Sequence, residues 1–282
     1  MRGTQPAYGM LAAFVVAAPV LVGIAYCAAG VLGLLGDTAG GSVNWSVLAD
    51  AATWRSVGWS FWAAGASTFL ALVGAVAVAA LCRSTRSSDR AARALAVLPL
   101  PIPHIVAALV GLLVLAQSGL LARIAYSLGV VGAPAEVPVL VYDGLGVGFI
   151  LTMAAKEIPF LALIAISLAG GDLRPVEESA RTLGASPAEL FRRITLPLLL
   201  RGMMPATVAV FVFVFGSYEV AAMLGPTAPA PLPVLITESY AGASLERRTE
   251  AYLLSLLALL IACVAVAAHE LLRRDMFRRL PG

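Results

Sequence analysis

Apolar residues in this chain neither alternate nor keep to one helical face; they form nearly unbroken runs of more than twenty residues. Six such runs stand out, at about residues 8–35, 57–82, 94–117, 144–169, 203–224 and 251–272. Each is long enough to cross the ~30 Å hydrocarbon core of a bilayer as a helix. The alternation that barrel strands need is absent. Inside a bilayer only a helix or a closed barrel satisfies the backbone, so the runs predict an all-α membrane protein with six transmembrane helices. Between the fourth and fifth runs lies a stretch of different character, Gly170 to Gly202, long, charged and broken by proline and glycine.

Six spans place both termini on one side. Fourteen of the arginines fall on that side, and four, Arg55, Arg123, Arg247 and Arg248, fall on the other. The positive-inside rule makes the first side cytoplasmic, and with it the termini and the 170–202 loop. Composition agrees, since 60% of the 282 residues are hydrophobic and only 12% are charged, against roughly half and a quarter in globular proteins. A net charge of +3 gives no reason to expect a nucleic-acid partner. The first run is too long for the ~7–15-residue core of a cleavable signal peptide. Cys27, Cys82 and Cys263 are odd in number and far apart, and His104 and His269 have no second ligand nearby, so neither a disulfide framework nor a metal site is expected.

The charged loop punctuates itself as two short helices. Pro175 suits a first helical turn, Glu177 and Glu178 follow at the positive end of the helix dipole, and Gly184 suits a left-handed stop. Ser186-Pro187-Ala188-Glu189 reads as a capping box that opens the second helix. Leu190, Phe191, Ile194 and Leu198 follow at three- and four-residue spacing, and Pro197 predicts a bend into the fifth span.

The order Glu178-Ser179-Ala180, three residues, Gly184, nine residues, Ile194, one residue, Leu196-Pro197 is similar to the EAA signature of permease subunits in binding-protein-dependent ABC importers. Ser179 stands where the family has a second alanine, a small-for-small change. The resemblance covers about residues 57–272 and implies a MetI-like permease bundle with a cytoplasmic two-helix coupling loop. It divides the chain into a first transmembrane helix and exterior loop (1–56), a five-span permease core (57–272) containing the coupling loop (171–201), and a basic cytoplasmic tail (273–282). By position, Glu178, Ser179, Ala180 and Gly184 would form the turn that docks on an ATPase, and Ile194, Leu196 and Pro197 the brace to the membrane. The partners implied are ABC ATPase subunits, a second permease chain, homologous or identical, an extracytoplasmic solute-binding protein and the lipid bilayer of a bacterial cytoplasmic membrane.

This chain is not expected to hydrolyse ATP. A P-loop needs a lysine after its glycines, and the only lysine, Lys156, follows Ala154-Ala155. ATP and magnesium would belong to the partner, and no cofactor is expected here. Lys156-Glu157 falls ~12 residues from either end of the fourth span, near mid-membrane. One of the two lies on the solute pathway or gate, or both are paired to neighbouring helices. Tyr218-Glu219, beside Gly216 in the fifth span, is a second pathway candidate; Glu219 either meets a solute or reaches to water. Phe211 to Phe215 reads as packing.

Pro99, Pro101 and Pro103 hold the approach to the third span extended, with His104 as a helix start, and Pro226 to Pro233 form a stiff exterior segment. The three prolines resemble those of polyamine-, iron- and thiamine-type permeases, and the carboxylates would suit a polyamine-like cation. The alternative function is an ion-gradient-driven carrier using Lys156, Glu157 and Glu219. No repeated halves of the kind common in such carriers are seen.

Overall fold

The computed structural model describes residues 5–35, 44–82, 94, 98–171, 173–242 and 244–278. All regular structure among them is helical: α1 (Gln5–Val31), α2 (Ala51–Leu81), α3 (His104–Leu115), α4 (Leu120–Ser127), α5 (Val147–Gly170), α6 (Arg174–Thr182), α7 (Pro187–Phe215), α8 (Tyr218–Leu224), α9 (Leu232–Ala241) and α10 (Leu245–Arg278). Six stretches among the described residues are long and apolar enough to cross a membrane, and each overlaps one of the six runs of the sequence. Arg2, Arg83, Arg86, Arg90, Arg93 and Arg279, which enter the charge asymmetry, lie outside the described residues.

Three boundaries differ from expectation, each for a backbone reason. The third helix starts at His104, not near residue 94, because Pro99, Pro101 and Pro103 supply no amide donors. The carbonyl of Pro103 then accepts from the Val106 and Ala107 amides and opens the helix. The fifth run is not one helix to residue 224: it stops at Phe215, the chain turns through Gly216 and an extended Ser217, and α8 begins afresh. α10 continues to Arg278, so the basic tail begins as a helical extension of the last span.

The chain divides into two compact units. The smaller, residues 1–54 with 234–263, is centred on Val31, Tyr252 and Leu253, with Cys27, Leu35, Val47, Leu48 and Leu256 packed around them. Tyr252 meets Tyr26 edge-on at 5.8 Å, and Asn44 donates to Glu250 at 2.9 Å. Glu250, in the first turns of α10, is therefore engaged.

The larger unit, residues 55–233 with 264–282, is built around α5, the most buried of the spans. α2 faces inward with small residues, Ser60, Ala63, Ala64, Ser67, Ala71, Ala75 and Ala79, all buried. Such a stripe lets helices approach closely where the hydrophobic effect offers no drive between them. At Gly74 a Cβ would fall 2.6 Å from the Ile158 side chain of α5, and at Gly202 of α7 it would fall 2.8 Å from Leu168. α3, α7 and α8 also pack on α5. Large apolar side chains such as Phe69, Val73, Leu109 and Leu113 point outward, as expected of surfaces solvated by lipid rather than water.

Candidate functional site

Two polar regions of the larger unit carry the candidate residues. The first is the loop around α6. Pro175 sits in its first turn, where a missing N–H is harmless, and the helix ends in a complete Schellman motif. The Gly184 amide donates to the Arg181 carbonyl at 3.0 Å and the Ala185 amide to the Ala180 carbonyl at 3.1 Å. Gly184 takes φ +86°. A Cβ there would meet nothing within 4 Å, so the backbone angle, not crowding, requires glycine. Two residues on, Ser186 and Glu189 form the capping box read from the sequence.

The expected bend at Pro197 takes a different form. Pro187 to Phe215 is one continuous helix containing a π turn at Leu190–Thr195. Proline cannot donate to residue i−4 and its ring presses on that carbonyl; a wide turn just before it absorbs the misfit. The second short helix and the fifth span are thus a single rod.

The carried-over residues occupy the outer side of this assembly. Glu178 is exposed and ion-pairs with Arg174 at 2.9 Å. The Ser179 hydroxyl donates back to the Pro175 carbonyl at 2.9 Å. Ala180, Ile194 and Leu196 are half-buried, and Pro197 is exposed. Beside the turn, Leu183 is 88% exposed, a large apolar side chain at the tip of a polar loop.

The inner side belongs to residues that the motif does not name. Leu173, Glu177, Leu190, Thr195 and Leu199 are buried, and the Thr195 hydroxyl donates to the Glu177 carboxylate. The signal for Glu177 was present in the sequence. It lies four residues after Leu173 on one face of α6, whereas Glu178 lies four after Arg174 on the other.

The second region joins α5 to the segment before α3. Lys156 and Glu157 are 8% and 7% exposed. The Glu157 carboxylate is 3.0 Å from His104 Nε2, and Lys156 Nζ donates to the Leu100 carbonyl at 3.2 Å. The His104 ring also lies 4.7 Å from the Phe213 ring of α7. Of the two readings for this pair, the structure brings both residues to neighbouring elements. Lys156 also borders a cavity of about 350 Å³ between α3 and α5, lined mainly by Pro99, Ile102, Val110, Leu151 and Ala155. Tyr218 and Glu219 on α8 are exposed.

At the N-terminal end of α5 a rigid rim went unread in the sequence. Tyr142 has φ +62°, and Asp143 accepts from the amides of Leu145 and Val147. The indoles of Trp59 and Trp62 donate to the carbonyls of Gly144 and Leu145. No cluster of three or more metal-ligating side chains occurs among the described residues.

Comparison with known proteins points one way. Residues 71–278 match the family model described as "Binding-protein-dependent transport system inner membrane component". The molybdenum transport system permease protein ModB of Mycobacterium tuberculosis is 28% identical over 79% of this chain and 80% of its own length. The inner membrane ABC transporter permease protein YnjC of Escherichia coli is 30% identical over 76% of this chain and 41% of its own length. A probable molybdenum ABC transporter permease protein of Haloferax volcanii is 31% identical over 65% and 63%. Among solved structures, a bacterial ABC transporter for the acidic polysaccharide alginate has the same fold, with a TM-score of 0.70 at 16% identity over 95% of this chain and 96% of that one. The methionine transporter MetNI aligns with a TM-score of 0.57 at 19% identity over 78% and 94%.

Proposed function

The chain belongs to the family of binding-protein-dependent transport system inner membrane components, and on that premise we propose that it is one pore half of an ATP-driven importer, coupled through α6 and the Gly184 turn to a separate ATPase. The observation that carries this reading is the shape of the loop. A short helix, a glycine stop and a second, capped helix form a stiff projection, and Leu183 at its tip is an apolar side chain with little of this chain over it. A rigid element with an uncovered apolar tip suits a socket on another protein. In this reading the loop and both termini are cytoplasmic, the membrane is a bacterial cytoplasmic membrane, and a second permease chain and an external binding protein complete the machine. Co-isolation tests it: the native chain should retain an ATPase on purification, and Gly184→Val should lose it. A Gly184→Val chain that keeps a fully coupled ATPase would refute the reading.

For the solute we favour a small oxyanion. Relatives from Mycobacterium bovis, Mycobacterium tuberculosis and Haloferax volcanii are named as molybdenum permeases. The argument for a polyamine-like cation rested on the resemblance of the proline-rich approach to the third span and on the carboxylates of the spans, and of these Glu157 is engaged by His104. The same engagement, with Lys156 on Leu100, weakens the ion-gradient alternative. Reconstituted with its binding protein and ATPase, the complex should accumulate molybdate in preference to spermidine; the reverse preference would overturn the assignment.

A further inference from the structure

We propose that Glu177 and Thr195 form the joint through which α6 drives the fifth span, a positioning pair that fixes the register between the docking helix and the rod. The proposal rests on the coupling reading above and adds the residues that would transmit its motion.

Three observations carry it. Glu177 is 7% exposed on a short helix whose neighbouring residues, Arg174, Pro175, Val176, Glu178 and Ser179, are all exposed. A carboxylate withdrawn from water at the edge of a membrane protein is unfavourable without a strong partner, and Thr195 supplies a hydroxyl to it. A threonine in a helix ordinarily returns its hydroxyl to its own i−4 carbonyl; this one reaches across to a different helix.

Thr195, second, is the last residue of the π turn, where the loop becomes the fifth span. The root of α7 is seated there. Thr195, Phe191 and Leu199 share one small cavity with Val76, Ala79 and Ala169, at the ends of α2 and α5. Four and eight residues further along, Leu199 and Met203 are fully buried, and Gly202 presses against Leu168 of α5. Force applied at Thr195 therefore enters a rod that is gripped along its length.

Third, apolar side chains also link α6 and the rod, Leu173 and Leu190 being buried on this side. Apolar contacts are non-directional and tolerate sliding. A charge-assisted hydrogen bond between two short side chains is directional and strong, and it sets where along the rod the docking helix pushes. Glu178, one residue away, faces out beside its exposed partner Arg174, where the ATPase would meet it, so two adjacent acids divide docking from transmission.

The test uses the full complex of permease, ATPase and binding protein in proteoliposomes, with solute transported per ATP hydrolysed as the readout. Thr195→Val, which removes the hydroxyl at nearly constant volume, should still retain the ATPase, but transport per ATP should fall about tenfold, the loss expected for one hydrogen bond to a charged group. Thr195→Ser, which keeps the hydroxyl, should restore the ratio. Should Thr195→Val fail to accumulate, Glu177→Met removes the acid and its need for a partner together, and the same fall is expected. An unchanged ratio in a variant that assembles would overturn the proposal, as would transport and hydrolysis falling in proportion. Failure of the underlying coupling reading is distinct, because there Gly184→Val would keep its ATPase whatever Thr195 does.

Discussion

The loop around α6 and the cluster of Lys156, Glu157 and His104 both keep a carboxylate from water, yet they are assembled in opposite ways. The loop is written locally. Pro175, Gly184, Ser186 and Glu189 act on amides and carbonyls within a few residues, so each turn closes on groups near it in the chain. The cluster is written by topology. His104 and Glu157 are 53 positions apart, and neither has a local reason to meet the other until α3 lies on α5. The difference teaches where robustness lies: local capping is cheap to keep and fails by strain, whereas an intramembrane pair fails by leaving one partner stranded.

Gly184 should give the largest effect. Valine there would have to hold φ +86°, at about 1–3 kcal/mol of strain, and the turn would reopen. Complete loss of ATPase co-isolation with normal membrane insertion is expected. A valine variant that still co-isolates would show that the loop tolerates rearrangement, contrary to the contrast drawn here.

Next comes Glu157→Leu, which strands His104. Removing one partner of this part-buried pair costs about 1–3 kcal/mol, so the purified chain should denature at lower temperature. The double substitution His104→Leu with Glu157→Leu should recover much of that loss. If the double variant is no better than the single, the two side chains do not act as a pair.

Ser186→Ala removes one cap from an exposed helix start and should lower stability by about 1 kcal/mol, read as a small shift in thermal denaturation. Arg174→Ala comes last. Its partner Glu178 is well exposed, and surface pairs of this spacing contribute about 0.5 kcal/mol at most. Denaturation should scarcely move. A large shift would mean that the outer face of α6 is braced within this chain rather than left for a partner.

Much of the architecture was legible because hydrocarbon imposes so few options. An apolar run of the right length has helix as its main option, and a candidate span overlaps each of the six. What escaped reading were breaks that depend on single backbone groups. Residues 98–103 are apolar enough to join the third span, but three missing amides keep them out. Gly216 and Ser217 are compatible with a helix by hydropathy, and the chain nonetheless turns there.

Within the site, the Gly184 stop and the Ser186 capping box could be read because their chemistry spans few residues. Glu177 was passed over in favour of its neighbour Glu178, since a motif fixes spacing along the chain and says nothing about which side of the helix is covered. His104 carried no local sign of its carboxylate partner at all.

The π turn at Leu190–Thr195 has a last implication, for how such proteins diverge. A turn of this kind holds one residue more than the α-helix around it would use. Removing a single residue there would restore the ordinary winding and leave the helix on either side in nearly the same relative orientation, whereas removing one elsewhere along the rod would swivel everything before it by about 100° about the rod axis and draw it in by about 1.5 Å. Single-residue insertions and deletions at this spot are therefore absorbed. A lineage could change the length of its chain there without re-aiming the loop or altering any side chain that faces the bilayer.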